Sequence, residues 1–446
     1  MSASFRCRTL VGLLSVATLL GCPSGSEPGD PSTPDAGPAQ AGCSTPTGAP
    51  ITHQGTLSAP ETWSSSSPHV VAGDLLVRAA VTVEPCAIVR VGRAVSISLE
   101  GGGSLVALGT RERPVRFEPL EASQPWGQLR IFAGGSARLS WTVLSGGGDP
   151  NIGEATVRVN AGVELPGPRP LFVDNVTIEG SRTRGVVLNG TAGFAEGSSA
   201  LIIRDSGSDN WPEPLAVNPN ALGTLPSGTY TGNRADAIFV SPSVASSSVF
   251  YLGGNATLRD LGVPYRVGGL QVGNPGTSAT LAIEAGAELR FEPRTALSVY
   301  DGRSALIAAG TASRPVIFTS AQATPAAGDW AGIRFNGMNP NSRVESAWVR
   351  YAGGSCQCSS YGCNYLPGSF DVSSAILVFQ EPAAPFIAQS RIEDSAGHGI
   401  LRGWNGSSAV SFLGTNTFAR IAACTETTPR DSEARCPSAP PCPRSP

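Results

Sequence analysis

Leu261-Gly262-Val263-Pro264-Tyr265-Arg266-Val267, Leu281-Ala282-Ile283-Glu284-Ala285-Gly286, Leu306-Ile307-Ala308-Ala309-Gly310-Thr311, Arg314-Pro315-Val316-Ile317-Phe318-Thr319 and Trp330-Ala331-Gly332-Ile333 form a series that the chain carries twice. About 200 residues earlier the series runs Pro68-His69-Val70-Val71, Val81-Thr82-Val83-Glu84-Pro85, Leu105-Val106-Ala107-Leu108-Gly109-Thr110, Arg113-Pro114-Val115-Arg116-Phe117 and Trp126-Gly127-Gln128-Leu129. Downstream, Val176-Thr177-Ile178-Glu179 matches Ser390-Arg391-Ile392-Glu393. Nearly constant offsets make this an internal duplication, with copies at about 53–205 and 224–422. Within each copy, short runs alternate apolar and polar residues, as in Val81-Thr82-Val83, Leu129-Arg130-Ile131 and Leu289-Arg290-Phe291, which is the pattern of half-buried strands. Clusters such as Gly101-Gly102-Gly103 and Gly273-Asn274-Pro275-Gly276 supply the turns. A sandwich would need hairpin chemistry, whereas a long repeat of short strands suits a coil in which each strand stacks on its counterpart one turn away. The expected fold is all-β: a right-handed parallel β-helix of two tandem units over residues 53–422.

Composition agrees with that expectation. Charged residues are 15% of the 446, while 54 Gly and 37 Pro make turns dense and charged helix surfaces scarce. The net charge is −3 with no basic run, so the electrostatic footprint of a nucleic-acid partner is absent. All 31 basic residues are Arg, a bias we attribute to codon usage.

The two ends have a different character. Residues 1–21 read as a signal peptide, with Arg6 and Arg8 preceding the apolar stretch Leu10 to Leu20. Leu19-Leu20-Gly21-Cys22 resembles a bacterial lipobox, which implies that Cys22 is lipidated and becomes the mature N-terminus, with the membrane as a partner. No Asp follows Cys22, which favours the outer membrane or cell surface. Residues 22–52 are rich in Pro, Ser and Gly and read as a flexible tether. Residues 423–446 are rich in Cys and Pro and read as a tail or cap over the open end of the coil.

With the Ile-Glu-x-Gly-type turn, Gly-Thr followed by Arg-Pro-Val-x-Phe, and Trp-x-Gly in hand, the chain resembles the right-handed β-helix repeat proteins found among secreted and lipidated proteins of myxobacteria and related bacteria. That resemblance implies a scaffold and no particular reaction. Without Cys7 and Cys22, eight cysteines remain as disulfide candidates: Cys43, Cys86, Cys356, Cys358, Cys363, Cys424, Cys436 and Cys442. The loop and tail cysteines are candidates to cross-link, leaving Cys43 to staple the tether to Cys86. Cys-x-Cys-x4-Cys also has a spacing that could hold zinc, but exported thiols oxidise and no His lies near, so no metal and no cofactor is expected.

No catalytic residue stands out. Gly397-His398-Gly399 resembles a motif of the polygalacturonase β-helix family, whose remaining acidic and basic motifs are missing here, so His398 reads as a turn residue. Glu84 with Glu284, and Glu179 with Glu393, recur in both copies and therefore point to turn geometry rather than to one site. Acidic residues peculiar to one copy, Asp205, Asp209, Asp260, Asp329 and Asp371, have no evident meeting point. Ser206 to Pro226, with Trp211-Pro212-Glu213-Pro214, interrupts the strand pattern as a loop or connector. Trp211, Trp348 and Trp404 are candidates for a ligand face, since indole rings stack on sugars. The expected function is a non-catalytic binding or structural surface protein, for a polysaccharide or an envelope protein. The alternative is a carbohydrate-active hydrolase or lyase. Three carboxylates gathered with Arg on one face would favour the enzyme; Ser, Thr or Asn ladders would favour binding.

Overall fold

The computed structural model describes residues 42–446 apart from 163–164, 166, 242–250, 356, 360–361, 365–372, 407–408, 430–441 and 444–446. It is a parallel β-helix. Three ladders of short parallel strands run along the first copy. The first contains Glu61–Trp63, Ala80–Val83 and Ser104–Leu108. The second begins at His69 and passes through Ile88–Val91 and Val115–Pro119. The third begins at Leu75 and passes through Ile97–Leu99, Leu129–Ile131, Ala155–Asn160, Arg184–Asn189, Leu215–Val217 and Ile238–Val240.

Period-two alternation decides which side chains fill the coil. The inner row of the third ladder stacks Val77, Leu99, Ile131, Val159, Leu188, Val217, Val240, Val267 and Phe291 in register, all fully buried. Burying each such side chain is worth about 1.5–3 kcal/mol. That stack crosses the boundary between the copies without a break, so the duplicated chain has one continuous core.

The copies are nevertheless joined out of phase. Tyr265 is the sequence counterpart of His69, which belongs to the second ladder. Tyr265 instead stacks on Ile238, the last strand of the third ladder. The second copy therefore starts one ladder round, and its strands Tyr265–Val267, Glu288–Phe291, Val316–Ser320 and Ala347–Arg350 extend the third ladder of the first copy. At the joint, the 3-10 turn Pro219–Thr224 takes the place of a strand, and its Asn220 side chain bonds Tyr251 O and Gly253 N across it.

Corners between ladders are turned by single left-handed residues. Trp141, Asn175 and Ala200 stack at one corner with φ of 44°, 52° and 51°. Ser346 and Gln389, with φ of 48° and 52°, occupy the matching corner of the second copy. At another corner a glycine is required for space: a Cβ on Gly147 would lie 2.7 Å from the Trp126 ring.

Both ends differ in detail from the boundaries read in the sequence. The first strand starts at Ile51, and from Cys43 onward the chain is already held to the coil by a Cys43–Cys86 disulfide. Cys424 bonds Cys442, so these two close a loop within the tail rather than linking it to the Cys356–Cys363 loop. Glu426 bridges to Ile400 and accepts from Ser411 Oγ and Phe412 N, laying the start of the tail onto the last coil. In the intervening loop, Gln357–Ser359 and Gly362–Asn364 form an antiparallel hairpin with Cys358 opposite Cys363. Cys22, Cys356, Cys436 and Asp371 lie outside the described residues, as do the signal peptide and most of the tether.

Candidate functional site

The joint creates one outward face that runs through both copies. Its central row, in register, is Ser98, Arg130, Arg158, Val187, Ala216, Phe239, Arg266, Arg290 and Thr319. Strand alternation aims these side chains away from the core. Val187, Ala216 and Ala155 are buried even so, with Phe239 packed against them, and together they form a small apolar cluster separate from the main core.

Charged side chains close around Phe239. Glu213, fully buried, is bracketed by Arg184, 3.1 Å from its Oε2, and by Arg266, which donates to its Oε1. Arg184 also lies 3.4 Å from Glu154, whose other oxygen is 3.9 Å from Arg158, and Arg266 donates to Glu292. The Arg184 and Arg266 guanidinium groups sit 5.5 Å and 5.1 Å from the Phe239 ring centroid, within cation–π range. Arg184 Nε, in the middle of the cluster, is buried without a partner among the described residues. Ser206 to Pro226, read above as an interruption of the strand pattern, in fact contains the strand Leu215–Val217 of the third ladder, and Glu213 sits two residues before it. Along the edge of the face, Asn189 Nδ2 donates to Asn160 Oδ1 at 3.3 Å, while the neighbouring Asn218 is buried and spends its Nδ2 on two backbone carbonyls. The face thus carries carboxylates gathered with Arg and, at its edge, one Asn–Asn pair.

The aromatic candidates separate. Trp348 lies half-buried in a neighbouring outward row, Glu288, Ile317, Trp348, Arg391, flanked by Arg350 and Arg391 at 5.3 Å and 5.9 Å. It is four strands from Phe239, about 19 Å at the usual inter-strand spacing. Trp211 is half-buried on the loop before Leu215, in a turn closed by Ser208. Trp404, two residues beyond the end of the strand His398–Arg402, is 3% exposed and packs into the main core, so its ring does not line this face.

The remaining polar candidates have local duties. Glu84 accepts from Ser65 N and its counterpart Glu284 from Asp260 N, each fixing a turn one coil earlier. Glu179 pairs with Arg204, and Glu393 with Arg391 and Arg420. Asp209 pairs with Arg234, Asp260 with Arg314, and Asp329 accepts from Ser320 Oγ and Ala326 N, so these acids do not converge. Asp205 occupies a left-handed corner. His398, read above as a turn residue, is instead the first residue of the strand His398–Arg402, and its Nδ1 accepts the Cys424 amide. His53 and His69 share a 3.0 Å hydrogen bond beside Trp63 in the first coils, and burial pushes both imidazoles below their ordinary pKa.

Glu213 and Arg266 stand in stretches quoted above from the sequence, but nothing there joins them to each other or to Arg184. The signal was spacing: Glu154 to Arg184, Arg184 to Glu213 and Arg266 to Glu292 are separated by 30, 29 and 26 residues, one coil each, and Glu213 to Arg266 by 53, two coils.

A family model described as a pectate-lyase like beta helix domain matches residues 257–366, which supports a β-helix repeat protein. That segment contains Arg266 and Glu292 but not Glu154, Arg184 or Glu213. No curated protein and no solved structure matches the chain.

Proposed function

We propose that this is a lipid-anchored β-helix protein of the bacterial outer envelope, held at Cys22 as in the myxobacterial lipoproteins it resembles, whose continuous face binds an extended polysaccharide without cleaving it. The observation that carries this reading is the unbroken outward row through both copies, with Phe239 and Trp348 on one face and polar side chains at each strand step between them. Repeated strands present groups at a fixed spacing, which suits a repeating polymer. A protein partner has less behind it, because among the described residues the exposed large apolar side chains Ile51, Leu108, Leu120, Ile202 and Leu413 come from separate segments of the chain.

The gathering of Glu154, Glu213 and Glu292 favours a second reading, a polysaccharide hydrolase or lyase. Its difficulty is that both oxygens of Glu213 already accept from guanidinium groups, and Glu154 and Glu292 are also paired. A general acid or base needs an oxygen within reach of the substrate proton. Incubation with neutral and acidic polysaccharides, scoring retention and new reducing or unsaturated ends in the same tubes, separates the readings. Retention without new ends is expected; new ends lost in Glu213→Gln would establish the enzyme. The anchor has its own check, since Cys22→Ser should release the protein from membranes.

A further inference from the structure

This inference rests on the polysaccharide-binding reading and concerns the class of polymer. Around Phe239 the charges balance: Arg158, Arg184 and Arg266 face Glu154, Glu213 and Glu292. Each guanidinium is already engaged with a carboxylate. A polymer carrying carboxylate or sulfate groups would meet Glu154 and Glu292, each 27% exposed, as like charges at the same site. To win Arg266 for itself it would have to draw that side chain off Glu213, leaving a buried carboxylate with less compensation.

Sugar hydroxyls face no such penalty. Each donates one hydrogen bond and accepts others, so a vicinal pair can accept from a guanidinium and donate to the carboxylate beside it without separating the two. Arg266, at 37% exposure, with Glu292 presents such a donor–acceptor edge to solvent, and Arg290 with Glu288, 2.8 Å apart, repeats it one strand further along the row. Phe239, between them and the apolar Val187–Ala216 floor, adds a surface for the C–H face of a ring. From this balance we infer that the ligand is an uncharged, hydroxyl-rich glycan and not an acidic one.

The test uses full-length protein in detergent, with affinity electrophoresis in a neutral glucan, a neutral mannan, polygalacturonate and alginate, each at about 0.05 and about 0.5 M NaCl. Retardation by a neutral polymer, changing less than about twofold between the two salts, is expected, because no counterions are released on binding. Phe239→Ala should weaken it by up to about tenfold. Should Phe239→Ala fold poorly, as judged by its melt, Trp348→Ala on the same face takes its place, and Thr82→Ala, on the first ladder, should leave retardation unchanged. Stronger retardation by the acidic polymers, lost at high salt, would overturn the inference while leaving polysaccharide binding intact. Equal loss in Thr82→Ala, or none in the face variants, would also overturn it by placing the ligand elsewhere. No retardation by any polymer would sink the binding reading itself.

Discussion

The two copies agree at several positions that serve the coil and part company around Phe239. Trp126 and Trp330 are both buried and both donate from Nε1 to a backbone carbonyl, Ser145 O and Arg350 O, at 2.8 Å. Glu84 and Glu284 fix equivalent turns. Arg184, by contrast, is bound to Glu213, while its counterpart His398 receives a backbone amide. Duplication would ordinarily provide every site twice. Because the second copy starts one ladder round, Arg266 and Glu292 are brought to the cluster of Glu154 and Arg184 from the first copy and Glu213 from the connector, and among the described residues that grouping occurs once. The difference teaches that the copies build the scaffold and the joint builds the site.

Substitutions at matched positions sharpen this. Trp126→Ala and Trp330→Ala should each cost about 3–5 kcal/mol in denaturant unfolding. Trp330 should be the costlier by about 0.5–1.5 kcal/mol, since it also stacks on Phe291 at 4.3 Å with the rings 8° from parallel. Equal losses would mean that the stack adds nothing beyond burial.

Glu213→Ala breaks the comparison at its asymmetric point. It strands Arg184, which is itself buried, beside a lost partner, a change that costs about 3–5 kcal/mol. Glu284→Ala, which removes one hydrogen bond to a turn amide, should cost about 1 kcal/mol. If the two variants melted alike, the joint would hold no special cluster.

This contrast also explains what could be read in advance. Strand pattern, duplication and turn clusters are local signals, and a register set by alternating Val, Leu, Ile and Phe follows from them, so the parallel coil was legible. The phase of the joint was not. It depends on how many strands the connector adds between Val217 and Tyr265, and there a 3-10 turn at Pro219–Thr224 substitutes for one of them. Without that phase, Glu213 and Arg266 are merely 53 residues apart. Comparing the copies position by position hid the cluster further, because it is made of residues that are not equivalent. Trp404 is a different case: it follows the strand His398–Arg402 rather than belonging to it, so no alternation in the sequence foretells that its ring is buried.

A smaller effect separates the copies by pH. His69 in the first copy stands where Tyr265 stands in the second. His69 Nε2 donates to Ser64 O, so its Nδ1 accepts from His53 Nε2, and the remaining His53 Nδ1 lies 3.3 Å from Glu61. Burial, the leading cause, holds both imidazoles below the ordinary 6.5, while Glu61 opposes it for both and Glu84 for His69. Below pH 6.5 the unfolded chain therefore binds protons that the folded chain resists, and stability falls as pH drops; above it the contribution is fully present. The melting temperature should be lower at about pH 5.5 than at about pH 7.5, a range in which exposed carboxylates stay ionised. His69→Tyr should shrink that drop. An undiminished drop in the variant would place the acid sensitivity outside this pair.

The mildest test returns to the corners. Ala200 holds φ at 51° in a stack with Trp141 and Asn175, and the matching corner of the second copy uses Ser346 and Gln389, again without glycine. A left-handed conformation costs an ordinary L-residue about 1–2 kcal/mol, while glycine adopts it freely but loses about 0.5–1 kcal/mol more chain entropy on folding. Ala200 is the member with least to lose, since it has no long side chain to pack and no polar group to bond. Ala200→Gly should therefore stabilise the first copy by about 0.5–1 kcal/mol, read as a higher denaturant midpoint at unchanged slope. A lower midpoint would mean that the Ala200 methyl packs usefully at the corner, and that strain there is offset by contact. In that case the corner stacks, like the inner rows, would be part of what holds successive coils in register.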